Sequence, residues 1–63
     1  MTFEIRTSQD RRQPYYWRAV ADNGQVLATS ETYTTRQSCE HAIAMVKRQA
    51  ASARVTDFTR TLA

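Results

Sequence analysis

Two extended runs meet at Asn23-Gly24, and that junction restricts the fold of this chain more than any other feature. Tyr15 to Ala21 is rich in aromatic and small apolar residues, and Gln25-Val-Leu-Ala-Thr-Ser-Glu31 follows the pair. Asn-Gly between extended runs is a strong hairpin signal, because both residues tolerate the positive φ of a type I′ turn. A two-residue loop sets Asp22 opposite Gln25. One sheet face then holds Ala21 with Val26, Ala19 with Ala28, Trp17 with Ser30 and Tyr15 with Thr32. The other face holds Val20 with Leu27, Arg18 with Thr29 and Tyr16 with Glu31.

The flanking segments extend this hairpin. Phe3 and Ile5 alternate with Glu4 and Arg6, which predicts a first half-buried strand. Ser8 to Pro14 is polar and ends in the only proline, so it reads as a loop. Beyond the hairpin, Thr34-x-x-Gln37 matches a capping box and Thr35 is the simple N-cap alternative. A helix is expected from about Arg36 to about Ala51, with Cys39, Ala42, Ile43, Val46 and Ala50 on one apolar stripe. Glu40, Ala44, Lys47 and Arg48 point away from it. Ala53 to Phe58 returns to β-type residues, with Val55 as an inward contact, and the tail Thr59 to Ala63 is expected to fray. The order is β-β-β-α-β, an α+β unit in which one helix covers one face of a mostly antiparallel sheet. Small side chains at Ala19 and Ala28 would let the helix approach closely.

A chain of 63 residues is a single domain, 1–63, and one small core contributes roughly 3–5 kcal/mol. The one cysteine excludes an intramolecular disulfide, and with one histidine it argues against a zinc cage. A partner chain is the remaining source of stability, so a homodimer is expected. Tyr16, Arg18, Val20 and Leu27, on the face without a helix, form the candidate dimer or partner surface. Met1-Thr-Phe-Glu-Ile lacks a basic-then-apolar pattern and no apolar run approaches membrane-spanning length, so with a free thiol a cytoplasmic protein without a membrane partner is expected. The net charge of +3, with eight of nine basic residues being arginine, permits acidic partners without demanding them.

Asn23-Gly-Gln-Val-Leu-Ala-Thr-Ser-Glu31, Tyr33, Ser38-Cys39, Ile43, Val46-Lys-Arg48 and Val55-x-Asp57 together resemble the YegP-like family of small bacterial proteins, a domain of unknown function. The resemblance runs from Phe3 to Asp57. It implies the β-β-β-α-β unit. Because some members carry that unit twice in tandem, it also implies a homodimer for a single-unit chain. The chain departs from the family pattern at Thr32 and near Ala42, where glycine is common, near Gln49, where asparagine is common, and at Ala19, where a larger aliphatic is usual. The resemblance supplies no catalytic or ligand residues.

The residues themselves offer little chemistry. Cys39 and His41 are two apart on a helix and point to different sides, so they do not form a nucleophile–base pair. Cys39 belongs to the apolar stripe, where a thiol packs as a small hydrophobe. Ser30, Glu31 and Tyr33 make the most motif-like polar patch, although each also has a structural role available at a strand end and helix entry. Asp57 suits a turn-type hydrogen bond or an arginine partner. No metal spacing, phosphate loop or carboxylate pair is present, so no catalytic, metal or cofactor residue is assigned and an enzyme is not expected. The expected function is a homodimeric, non-catalytic module that binds another protein. The alternative is weak, sequence-independent nucleic-acid binding through Arg11, Arg12, Arg18, Lys47 and Arg48 beside Tyr15, Tyr16 and Trp17.

Overall fold

The computed structural model describes residues 1–59. Three strands, β1 (Thr2–Thr7), β2 (Tyr15–Val20) and β3 (Val26–Thr29), form an antiparallel sheet with β2 in the centre. One helix, α1 (Arg36–Ala50), packs over β2 and β1. The arrangement is α+β, as expected. The last strand expected, Ala53 to Phe58, forms no ladder with its own chain, and Val55 is exposed rather than inward. Fraying at residues 60–63 lies outside the described residues.

β1 pairs with β2 without a bulge, placing Phe3 opposite Ala19, Glu4 opposite Arg18, Ile5 opposite Trp17 and Thr7 opposite Tyr15. The loop between them is tied by its own side chains. Ser8 Oγ donates to the Gln13 carbonyl (2.8 Å) and accepts from Asp10 N–H (2.9 Å), while Asp10 Oδ1 accepts from Arg12 N–H (2.9 Å). Ser8 N–H closes the hairpin onto the Pro14 carbonyl, so the proline lies just before β2, where its missing donor costs no ladder bond.

The second hairpin differs from the two-residue loop. Gly24, at φ +89°, is the only described residue in the left-handed region, whereas a type I′ turn would need Asn23 there as well. Gly24 N–H donates to the Ala21 carbonyl and Ala21 N–H to the Gln25 carbonyl, both at 2.8 Å. This is a three-residue loop with glycine at the left-handed position. Its extra residue displaces the pairing, so Val20 meets Val26 rather than Leu27. A bulge at Leu27 then restores Ala19 opposite Ala28 and Arg18 opposite Thr29, as expected. Farther along, Tyr15 bridges Tyr33 rather than Thr32.

The buried core is Trp17, Ala19 and Cys39, with Phe3, Tyr15, Tyr33, Ala42, Ile43 and Val46 packed around it. Phe3 meets Trp17 edge to face at 5.5 Å between ring centroids and 70° between planes. Such a pair contributes about 0.5–1.5 kcal/mol beyond the area it buries. The helix starts at Thr35, whose Oγ1 accepts from Ser38 N–H at 3.0 Å, so the simple N-cap prevails over the capping box. Arg36 and Glu40 pair at 3.3 Å one turn apart, and Lys47 and Arg48 lie in the last turn, where the helix dipole favours cations. Two expected core contacts fail. Ala50 is exposed at the helix end, and Ala28 is exposed because α1 leaves β3 uncovered.

Gly24→Ala is expected to cost about 1 kcal/mol through backbone strain alone, since a Cβ there meets open space. A shift in the urea midpoint with unchanged slope would show it. Trp17→Ala, which empties the core, is expected to cost about 3–5 kcal/mol and to abolish a cooperative thermal transition followed by circular dichroism.

Candidate functional site

Alternation along β2 sends Tyr15, Trp17 and Ala19 toward α1 and Tyr16, Arg18 and Val20 to the opposite face. Tyr16, Arg18 and Val20, expected on one surface, therefore do share it. Leu27 occupies the bulge on the neighbouring strand and is 56% exposed. Val26 takes the place opposite Val20 that Leu27 was expected to fill.

The centre of this face is ionic rather than apolar. Glu4 on β1 lies opposite Arg18, and its Oε1 accepts from Arg18 Nε at 2.6 Å and from Arg6 Nη1 at 3.2 Å. The Arg18 hydrogen bond above all, with that of Arg6, holds the Glu4 carboxyl below its ordinary value of 4.5. Val20 and Val26 form an apolar end to this ion-paired strip, and Tyr16 lies opposite Arg6 at the other end. Reasoning from the hairpin alone missed Glu4, because the long loop between β1 and β2 left their register unfixed.

The polar patch separates into two roles. Ser30 N–H donates to the Trp17 carbonyl, but the return bond from Trp17 N–H goes to Ser30 Oγ at 2.9 Å. The hydroxyl thus replaces the Ser30 carbonyl in the ladder and itself donates to the Glu31 carbonyl at 2.7 Å. Tyr33 exchanges two backbone hydrogen bonds with Tyr15 and packs against the core. Glu31 and Tyr33 also border a shallow groove of about 540 Å³ with Gln37, Ser38, His41, Ala42 and Met45. The helical spacing of Gln37, His41 and Met45 was the signal for that wall, but nothing in the sequence set it beside Glu31.

Cys39 is fully buried, and burial, with the nearby Glu40 charge, pushes its thiol up, so it is not poised as a thiolate. His41 is exposed on another side of the helix. Asp57 accepts from Thr59 N–H at 2.8 Å and from its hydroxyl, which holds the carboxyl low and realises the expected turn-type bond. Among the described residues, no group of three or more His, Cys, Asp or Glu side chains is placed to hold a metal ion, and no helix is long and apolar enough to cross a membrane.

The domain of unknown function DUF1508 matches residues 10–57, spanning the second and third strands, the helix and the start of the C-terminal segment. The chain belongs to that family. It is 37% identical over 57 residues to UPF0339 protein NMB1088 of Neisseria meningitidis serogroup B, covering 90% of this chain and 98% of the relative. It is 35% identical over 57 residues to UPF0339 protein Atu0232 of Agrobacterium fabrum, covering 90% and 92% respectively. This is the bacterial family that the turn and helix residues resembled. For this DUF1508 domain, the Glu4 clasp makes an acid prediction. A carboxyl whose folded value lies below its unfolded value stabilises the fold above that unfolded value, and the effect is lost as pH falls through the lowered one. Glu4→Gln is therefore expected to flatten the acid limb of a urea-midpoint against pH curve and to leave the limb above pH 7 unchanged in slope.

Proposed function

We propose that this domain is a non-catalytic protein-interaction module that self-associates and uses the β-sheet face opposite α1 to hold a protein partner. The observation that carries this reading is the ratio of buried to exposed apolar side chains. Trp17, Ala19 and Cys39 are buried, whereas Val26 and Leu27 on β3 are large and exposed, as are Ile5 on the helix side of β1, Met45 on α1, and Val55 and Phe58 beyond it. Contacts with other chains would cover apolar surface that this fold leaves in water.

The charge arrangement favours protein over nucleic acid. Arg18 and Arg6 are both engaged by Glu4, and Arg36 by Glu40, which leaves the sheet arginines poorly disposed toward phosphates. An ion-paired strip with Val20 and Val26 at one end and Tyr16 at the other resembles the mixed polar and aromatic make-up of protein interfaces. A cytoplasmic site of action is part of the same proposal.

The test is affinity capture with the tagged full chain from a cytosolic extract, with and without nuclease, read by mass spectrometry. Capture that survives nuclease is expected, with at least tenfold loss for Val20→Glu and little change for Arg11→Glu with Arg12→Glu. Capture lost with nuclease and with the arginine pair, but not with Val20→Glu, would move the function to nucleic acid.

A further inference from the structure

Asn23-Gly24 shapes the second hairpin, and the same pair is chemically reactive. Asn23 is the only asparagine in the chain, and both residues are exposed at the hairpin tip. The main-chain nitrogen of the next residue can reach an asparagine Cγ and close a five-membered ring, an attack for which no second molecule has to be brought in. Glycine offers the least hindered such nitrogen, because it carries no Cβ. The space beside it is clear as well, since a Cβ built on Gly24 meets no atom within 4 Å.

Two hydrogen bonds at the tip act on this reaction in opposite directions. Gly24 N–H donates to the Ala21 carbonyl at 2.8 Å, so the nitrogen must leave that bond before it can give up its proton and attack. Gln25 N–H donates to Asn23 Oδ1 at 3.0 Å, which draws electrons from Cγ and meets the oxyanion as it forms. The restraining bond is a single turn contact in solvent. Opening it disturbs neither the Ala19–Ala28 pair, which lies beyond the bulge, nor the core. The net worth of one hydrogen bond limits the restraint to about two- to tenfold. A reaction that waited for global unfolding would be slowed by more than about a hundredfold, even with a core as small as this one.

We infer that Asn23 is a self-modification site, cyclising and opening to isoaspartate within the folded domain, with Gln25 N–H as the oxyanion donor. Solvent hydroxide takes the Gly24 amide proton. The nitrogen bonds to Asn23 Cγ, the Cγ–Nδ2 bond breaks, and the side-chain amide departs as ammonia with a proton from solvent, leaving a succinimide. Water then adds to one of the two ring carbonyl carbons. Breaking the ring bond at Cγ gives aspartate. Breaking it at the main-chain carbonyl gives isoaspartate, in which the chain runs through Cβ and Cα carries the free carboxylate. Water is consumed and ammonia released, with no oxidation or reduction. Either product lowers the formal net charge of +3 by one and sets a new carboxylate beside Asp22. The free carboxylate on Cα is the group that an isoaspartate-specific methyltransferase esterifies from S-adenosylmethionine, so that class of reaction would consume the product.

Ageing the full chain and its Gln25→Pro variant in mildly alkaline buffer, with and without guanidinium chloride, tests the inference. Conversion is read on intact chains as the mass gain of OH replacing NH2, and isoaspartate by enzymatic methyl transfer, with Asn23→Gln as the background. Wild-type conversion in buffer is expected within about tenfold of the denatured rate. Proline at 25 removes the N–H that Asn23 uses and keeps the carbonyl that Ala21 uses. It is expected to slow conversion severalfold in buffer and to leave the denatured rate unchanged, with the circular dichroism of the wild type. A wild-type rate in buffer more than about a hundredfold below the denatured rate would overturn the site. Equal rates for wild type and variant in buffer would overturn the donor's role. Should the variant lose its fold, exchange of the Gly24 amide in the wild type decides, and protection well beyond about tenfold would overturn reaction by local opening.

Discussion

Trp17 is the contact on which the rest of this small fold depends. It lies on the central strand, it meets the Phe3 ring edge to face across the sheet, and it shares the buried core with Cys39 of the helix. A sheet of three short strands and a helix of fifteen residues would each be marginal alone in water. The indole joins them. Even its backbone is specially served, with the Ser30 hydroxyl taking the N–H that the departing third strand would otherwise leave unpaired. Its side-chain Nε1, in contrast, is buried with no hydrogen-bond partner in the described structure, a polar cost accepted within the best-packed part of the molecule.

Much of this was legible because it is local. Alternation in β2, the N-cap at Thr35 and the stripe of Cys39, Ala42, Ile43 and Val46 are fixed by neighbours in sequence, and each stands where period and capping chemistry put it. What was not legible depended on distance. Glu4 reaches Arg18 only through the β1–β2 register, across a loop whose length gives no turn type. Ala28 suits a close helix contact, yet α1 crosses the sheet toward β1, a choice made by the whole packing. The strand character of Ala53–Phe58 was readable in its residues, but the segment forms no ladder with its own chain, and pairing is not decided by residue type alone.

The two faces of the sheet perform different physical tasks. The helix side gains from excluding water around aromatic and thiol groups. The far side stays wet and is ordered by one carboxylate shared between two guanidinium groups, an exposed arrangement that contributes little to stability but holds side-chain geometry. Such a surface can be complementary to a partner without being greasy enough to aggregate.

The paired irregularities of the second hairpin have a further consequence. The three-residue loop takes in one residue and the bulge at Leu27 gives one back, so the pairs Ala19–Ala28 and Arg18–Thr29 are the same ones a tight two-residue turn would have made. The tip is therefore uncoupled from the core. A lineage could lose one residue there and lose the bulge with it, changing the outline of the hairpin end while every side chain beneath it stayed on its own face of the sheet. That corner of the domain is free to vary in shape, and the central pairings are spared the cost.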